Sequence, residues 1–146
     1  MSDYQHILAA IDFSEETDYV LNKAMAMAAG VATKLSLIHV VEYSPYLFSP
    51  DTPLPVDFNL EQQFIEKAKQ RLDALAQSRE LTEASRYVEV GSPTLEIVRV
   101  AREQAIDLIV IGSHGRHGLQ RILGSTATGV LHTAACDVLA VRIEPR

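Results

Sequence analysis

The chain has 146 residues, 47% of them hydrophobic and 22% charged, which fits a single domain (residues 1–146) with a sizeable core and excludes wholesale disorder. At this length folding buries roughly 68–70% of the surface an unfolded chain exposes, so neither disulfides nor a structural metal are required. Thirteen basic against nineteen acidic residues give a formal charge of −6, which argues against DNA or RNA binding but not against a nucleotide, since backbone N–H groups hold phosphate without a basic surface.

The first residues carry no basic stretch leading into an apolar run, so no secretory signal is expected. Residues 5–12 (Gln-His-Ile-Leu-Ala-Ala-Ile-Asp) are continuously apolar up to the closing carboxylate, the pattern of a strand buried on both faces. Ser14 is a candidate N-cap, with Glu15 and Glu16 in a first helical turn. Val20, Leu21, Ala24, Met27 and Ala28 continue at helical spacing, and Gly30 is the expected stop. Lys34 to Val41 reads as a second strand.

Residues 43–57 hold Pro45, Pro50, Pro53 and Pro55 and read as a loop, long enough to serve as a lid or interaction surface. Asp57 is a candidate cap for a helix whose apolar face is Leu60, Phe64, Ala68, Leu72, Leu75 and Ala76. Glu61, Glu66, Lys67, Lys69, Gln70 and Arg71 form its solvated face. Arg86 to Val90 is a short strand, and Ser92-Pro93 then starts a helix lined by Ile97, Val98, Ala101 and Ala105. Asp107 to Ile111 is a fully apolar strand running into Gly112. Residues 125–134 read as a helix and Val138 to Ile143 as a last strand.

Strands alternating with helices imply α/β architecture, an open parallel five-stranded sheet with helices on both faces. No stretch approaches 18 apolar residues, so no membrane span is expected, and a soluble cytoplasmic protein is the default.

Ligands of such sheets bind beyond the carboxyl ends of the strands. There Gly112, Gly115, Gly118 and Gly124-Ser125 punctuate the approach to a helix. Glycine lets a ligand come close to the backbone, a helix start offers N–H groups to an anion, and Ser125 and Thr126 add hydroxyls. Spacing alone leaves two readings open: a phosphate cradle, or a glycine-rich loop with Ser125 as a plain N-cap. There is no Gly-Lys-Ser/Thr, and the first strand–helix turn has no glycine, so neither a P-loop nor a dinucleotide fingerprint is present.

Taken together, Ile7 to Ser14, Leu37 to Val40, Gly91-Ser92-Pro93, Asp107 to Gly115, Leu123 to Thr126 and Cys136 to Val141 resemble the universal stress protein family over nearly the whole chain. The resemblance implies a sheet of order 3-2-1-4-5 and a homodimer joined through the last strand. It also implies ATP lying across the strand ends. By position, Ala10 and Asp12 would flank adenine and ribose, and the Val40 backbone would contact adenine. Gly112 would meet ribose and the first phosphate, while Gly115, Gly124, Ser125 and Thr126 would cradle the phosphates. His114 would face the phosphates or an accompanying Mg²⁺. Only eight residues separate Gly115 from Gly124, one fewer than the family's signature, yet every glycine of that signature is kept.

Among single residues, His39 reads as a satisfied near-core histidine and Arg121 as a solvated cation, with Arg116 open between solubility and phosphate steering. The lone Cys136 excludes an internal disulfide and reads as a small buried hydrophobe. The leading expectation is an ATP-binding regulator of the stress response with an unknown protein partner and at most weak ATPase activity. The rival is a nucleotide-independent interaction module working through its dimer surface and the 43–57 loop. A hydrolase of the related adenine-nucleotide α-hydrolase type is the third, and would need catalytic groups beyond those visible here.

Overall fold

The central apolar runs become strands buried from both sides, with Ile7, Leu8, Ala9, Ile109 and Val110 wholly covered, and the helices between the strands supply that cover. The computed structural model describes residues 4–29, 32–42, 58–113 and 123–142. In chain order the elements are β1 (His6–Ala10), α1 (Thr17–Met27), β2 (Lys34–Val41), α2 (Phe58–Ser78), β3 (Ser85–Val90), α3 (Pro93–Glu103), β4 (Leu108–Gly112), α4 (Ser125–Thr133) and β5 (Asp137–Val141). The five strands form one sheet in the order β3-β2-β1-β4-β5, as the resemblance implies. Every pairing is parallel, with Ile7 opposite both Leu35 and Leu108, and Gly112 opposite Val141.

The period of two sorts the central strands onto two cores. Ile7, Ala9, Ile11, Leu37, Leu108 and Val110 pack with Val20, Leu21 and Ala24 of α1 and Leu72 and Ala76 of α2. Leu8, Ile38, Ile109 and Ile111 pack on the other face with Ile97, Val100 and Ala101 of α3 and Ala127 and Val130 of α4. Ala10 and Val40 border this second cluster. The direction in which the sheet is wound therefore reverses between β1 and β4.

Several local expectations shift. Ser14 does not cap α1: the helix starts at Thr17 with Glu16 at the cap position, and Ser14 Oγ accepts the Glu16 N–H at 3.1 Å in the turn before it. Glu15 and Glu16 thus precede the helix, because the chain must complete a turn after β1 before it can coil. Phe64 is 43% exposed and not part of the core. Val100 takes the buried position on α3, while Ala105 lies beyond the helix at φ 55 and is exposed. The Ser92 cap forms as expected, its Oγ accepting the Leu95 N–H at 3.4 Å, with Pro93 in the first turn. Gly30, Asp57 and the 43–57 loop lie outside the described residues.

The amino-terminal rim of the sheet is tied by polar contacts. Asp107 accepts the backbone N–H groups of Gln5 at 2.8 Å and His6 at 3.0 Å, and Tyr4 Oη donates to Asp137 at 2.8 Å. His6 Nε2 lies 2.7 Å from the buried Ser36 Oγ and Nδ1 lies 3.2 Å from the Gln104 carbonyl. Burial, reinforced by Lys34, pulls the His6 pKa below its ordinary value. The unfolded chain therefore binds the proton first, and the contribution of neutral His6 to stability falls as pH drops below about 6.5. Replacing His6 by Gln should flatten the urea-unfolding stability difference between pH 7.5 and pH 5. An unchanged pH dependence would remove His6 from that account.

Helices α3 and α4 meet at a glycine. A Cβ on Gly129 would lie 2.7 Å from Thr94 Cγ2 and 2.8 Å from Thr94 Oγ1, and a β-branched side chain cannot swing away. Gly129→Ala should destabilise the fold by about 1–3 kcal/mol in urea unfolding, although alanine is the better helix former by about 1 kcal/mol. Adding Thr94→Ala should recover part of that loss; a stabilised single variant would contradict the close approach.

Candidate functional site

The carboxyl ends of β1, β2 and β4 and the start of α4 share one edge of the molecule. β1 is extended past its last residue by the Ile11 N–H bond to Ile38 O at 2.8 Å. The chain then turns. Asp12 Oδ1 accepts the Ser14 N–H at 2.9 Å, the side-chain turn that aspartate forms readily. Ser14 O in its turn accepts the Thr17 N–H at 3.1 Å. The carboxylate of Asp12 is thus placed at the strand end by its own loop and not as a cap on α1.

Across the switch point, β4 runs into Gly112 and the buried Ser113. Ser113 joins three parts of the edge: its N–H donates to Val141 O of β5 at 2.9 Å, and its carbonyl accepts the Gly124 N–H at 2.6 Å. Gly124 is the N-cap of α4, in extended conformation at φ −61 and ψ 160, and it offers no side chain to cap with. The first bond within the helix runs from the Thr128 N–H to Gly124 O at 2.9 Å. The amides of Ser125, Thr126 and Ala127 precede it and have no acceptor within the helix. Ser125 is exposed and stands inside the helix, one residue past the cap position, so the reading of Ser125 as a plain N-cap does not hold.

Of the nine expected site residues, the structure gathers Ala10, Asp12, Val40, Gly112, Gly124, Ser125 and Thr126 along this edge. Ala10 and Val40 lie on the same sheet face as α4. His114 and Gly115 lie outside the described residues, as do Arg116, Gly118 and Arg121. His39 is satisfied as expected: its Nδ1 donates to Ile11 O at 2.7 Å, and its ring lies 4.6 Å from that of Phe13. Half-buried Cys136 stands before β5 at the opposite end of the sheet, and burial with Asp137 and Asp107 nearby pushes its thiol pKa up. Among the described residues, no three His, Cys, Asp or Glu side chains gather into a metal site.

One residue of the edge escaped the sequence reading. Glu16 is only 3% exposed, and its side chain fills the space behind Gly112. A Cβ on Gly112 would collide with Glu16 Oε2 and would meet its Cδ at 3.1 Å and Cβ at 3.3 Å. The missing side chain at position 112 therefore admits a buried carboxylate from the α1 side. No local signal marks Glu16, because a glutamate beside a helix start is ordinarily exposed.

Fold and edge together define an open, doubly wound α/β protein whose candidate site lies at the carboxyl termini of its strands. The model of the Universal stress protein family matches residues 3–142. Universal stress protein A homolog 2 of Coxiella burnetii (strain RSA 493 / Nine Mile phase I) is 40% identical over 146 residues, covering 99% of each chain. Universal stress protein UspA from Lactobacillus plantarum superposes with a TM-score of 0.78 at 26% identity, over 97% of this chain and 100% of that one. A universal stress protein in complex with cAMP superposes with a TM-score of 0.62 at 25% identity, over 96% and 98% of the two chains. The chain belongs to the universal stress protein family, of the UspA-like kind. Among the described residues no helix is long and apolar enough to cross a membrane.

The packing of Glu16 against Gly112 yields a double-mutant prediction. Gly112→Ala should cost about 1–3 kcal/mol as an overpacked site. Because Glu16 is the obstacle, combining it with Glu16→Ala should cost less than the sum of the two single losses by about 1 kcal/mol. Strict additivity in urea unfolding would show that the obstacle lies elsewhere.

Proposed function

We propose that this universal stress protein is an ATP-binding regulator of the stress response, acting as a homodimer with at most slow ATP hydrolysis. The observation that carries the reading is the Gly124–Ser113 bond. It sets the start of α4 beside the end of β4, where the first-turn amides and the Ser125 and Thr126 hydroxyls would meet the phosphates. A helix start of this kind suits phosphate through its N–H groups and its dipole. Gly115 and His114 are assigned to the same cradle from the family signature. Ala10 and Val40, on the α4 face of the sheet, would take the adenine, and Asp12 at the end of β1 the ribose. The relative solved with cAMP supports an adenine nucleotide as the ligand class.

Mg²⁺ would accompany the phosphates, since this ion keeps its waters and binds through substrate oxygens more readily than through an all-protein cage. Hydrolysis demands a positioned water and a group to orient it, and Asp12, the one carboxylate assigned to the nucleotide, already accepts the Ser14 amide through one oxygen. The homodimer reading rests on β5, which among the described residues pairs with β4 alone and so would offer its outer edge to a second copy.

Calorimetry with ATP, ADP and cAMP in the presence of Mg²⁺, paired with sedimentation, tests the proposal. The wild type should sediment as a dimer and bind ATP. Gly124→Val should weaken ATP by about tenfold or more, the scale of one lost hydrogen bond to a charged group, while remaining a folded dimer. No binding heat at millimolar ATP and no nucleotide in the denatured supernatant would favour the rival, an interaction module that works without nucleotide.

A further inference from the structure

Arg71 lies on the face of α2 that the helical pattern assigns to solvent, and its side chain is exposed. Its guanidinium carbon nevertheless sits 4.1 Å from the centroid of the Phe13 ring. Phe13 also contacts His39, their ring centroids 4.6 Å apart and their planes tilted by 50°. The stack thus runs from α2, across the β1–α1 turn, to β2.

The backbone of Phe13 explains why the stack matters. Its φ is 60, a left-handed conformation that glycine adopts freely and that a bulky aromatic residue adopts only when its surroundings hold it there. The ring is held between Arg71 and His39 and packs along the edge of the core cluster that α1 and α2 cover. The backbone on its amino side is pinned by Ile11, whose N–H reaches Ile38 O at 2.8 Å and whose carbonyl takes the His39 Nδ1–H at 2.7 Å. On its carboxyl side the Asp12–Ser14 bond closes the turn at 2.9 Å. Asp12 therefore lies between a fixed strand end and a left-handed residue whose ring Arg71 and His39 contact. Arg71 can serve as the outer clamp because its neighbours Leu72 and Ala68 are buried in the core and fix that part of α2. A planar guanidinium suits the ring face better than an ammonium.

We propose that Arg71 is a positioning residue for nucleotide recognition. By stacking on Phe13 it holds the β1–α1 turn, and with it the Asp12 carboxylate, in the geometry that meets ribose hydroxyls. The inference rests on the ATP reading above and adds to it a control point on α2, outside the strand ends.

Calorimetric affinities for ATP and for 2′,3′-dideoxy-ATP, measured on the full chain, separate this role from simple packing. Arg71→Ala should weaken ATP by about two- to fivefold, the scale of an exposed cation–aromatic contact, and leave dideoxy-ATP unchanged. In an Asp12→Ala background Arg71→Ala should have no further effect on ATP, and Arg71→Lys should restore part of the loss. Equal weakening of both nucleotides, or additive losses with Asp12→Ala, would overturn the proposal. Amide hydrogen exchange supplies a readout that needs no ligand. Arg71→Ala should speed exchange at the Ser14 N–H by about two- to fivefold, with Leu8 and Ala9 in β1 unaffected. An unchanged Ser14 rate overturns control of the turn by Arg71. Absence of wild-type ATP binding overturns instead the ATP reading and the ribose role built on it.

Discussion

β1 and β4 lie side by side in parallel at the middle of the sheet, and neither can face water on either side. Ile7, Leu8 and Ala9 of β1 and Ile109 and Val110 of β4 have no exposed surface. Two strands buried this completely demand helical cover on both faces, and parallel pairing demands that each connection cross over the sheet. Meeting both demands places α1 and α2 on one face and α3 and α4 on the other. It also brings backbone from the centre of the sheet to the surface at the strand ends.

At that edge the polar backbone is organised by a few short bonds. Ser113 holds β5 with its N–H and Gly124 with its carbonyl, so the end of β4 determines where α4 begins. Behind it Glu16 fills the room that a side chain at Gly112 would need. The glycine that reads in sequence as an invitation to a phosphate is, in the fold, also the partner of a buried carboxylate. Close approach of backbone to something is required in both readings, and glycine meets that requirement whatever approaches.

The first strand–helix connection shows the same economy. Asp12, Phe13 and Ser14 form a turn before α1 can start, which is why Ser14 bonds to Glu16 and does not cap the helix. The left-handed Phe13 is held by its surroundings, its ring packing on the core cluster and contacting His39 and Arg71. A residue on a nominally solvated helix face thereby becomes part of the edge where the nucleotide is proposed to bind.

What the sequence determined by itself is what local pattern encodes. Continuous apolar runs marked β1 and β4, a short β-branched run marked β3, helical spacing marked α1 and α2, and Ser92-Pro93 marked the start of α3, because these signals act within a few residues. The place of the edge also followed, since strand ends are fixed once the strands are. The order of strands was legible through family resemblance, not through periodicity. Only tertiary structure decided that Phe64 stays exposed while Val100 is buried, that Glu16 turns inward behind Gly112, and that Arg71 crosses from α2 to Phe13. These three outcomes depend on elements far apart in the chain arriving at one point in space. Side-chain type and spacing say which face a residue occupies on its own helix; they do not say what the sheet will set opposite it.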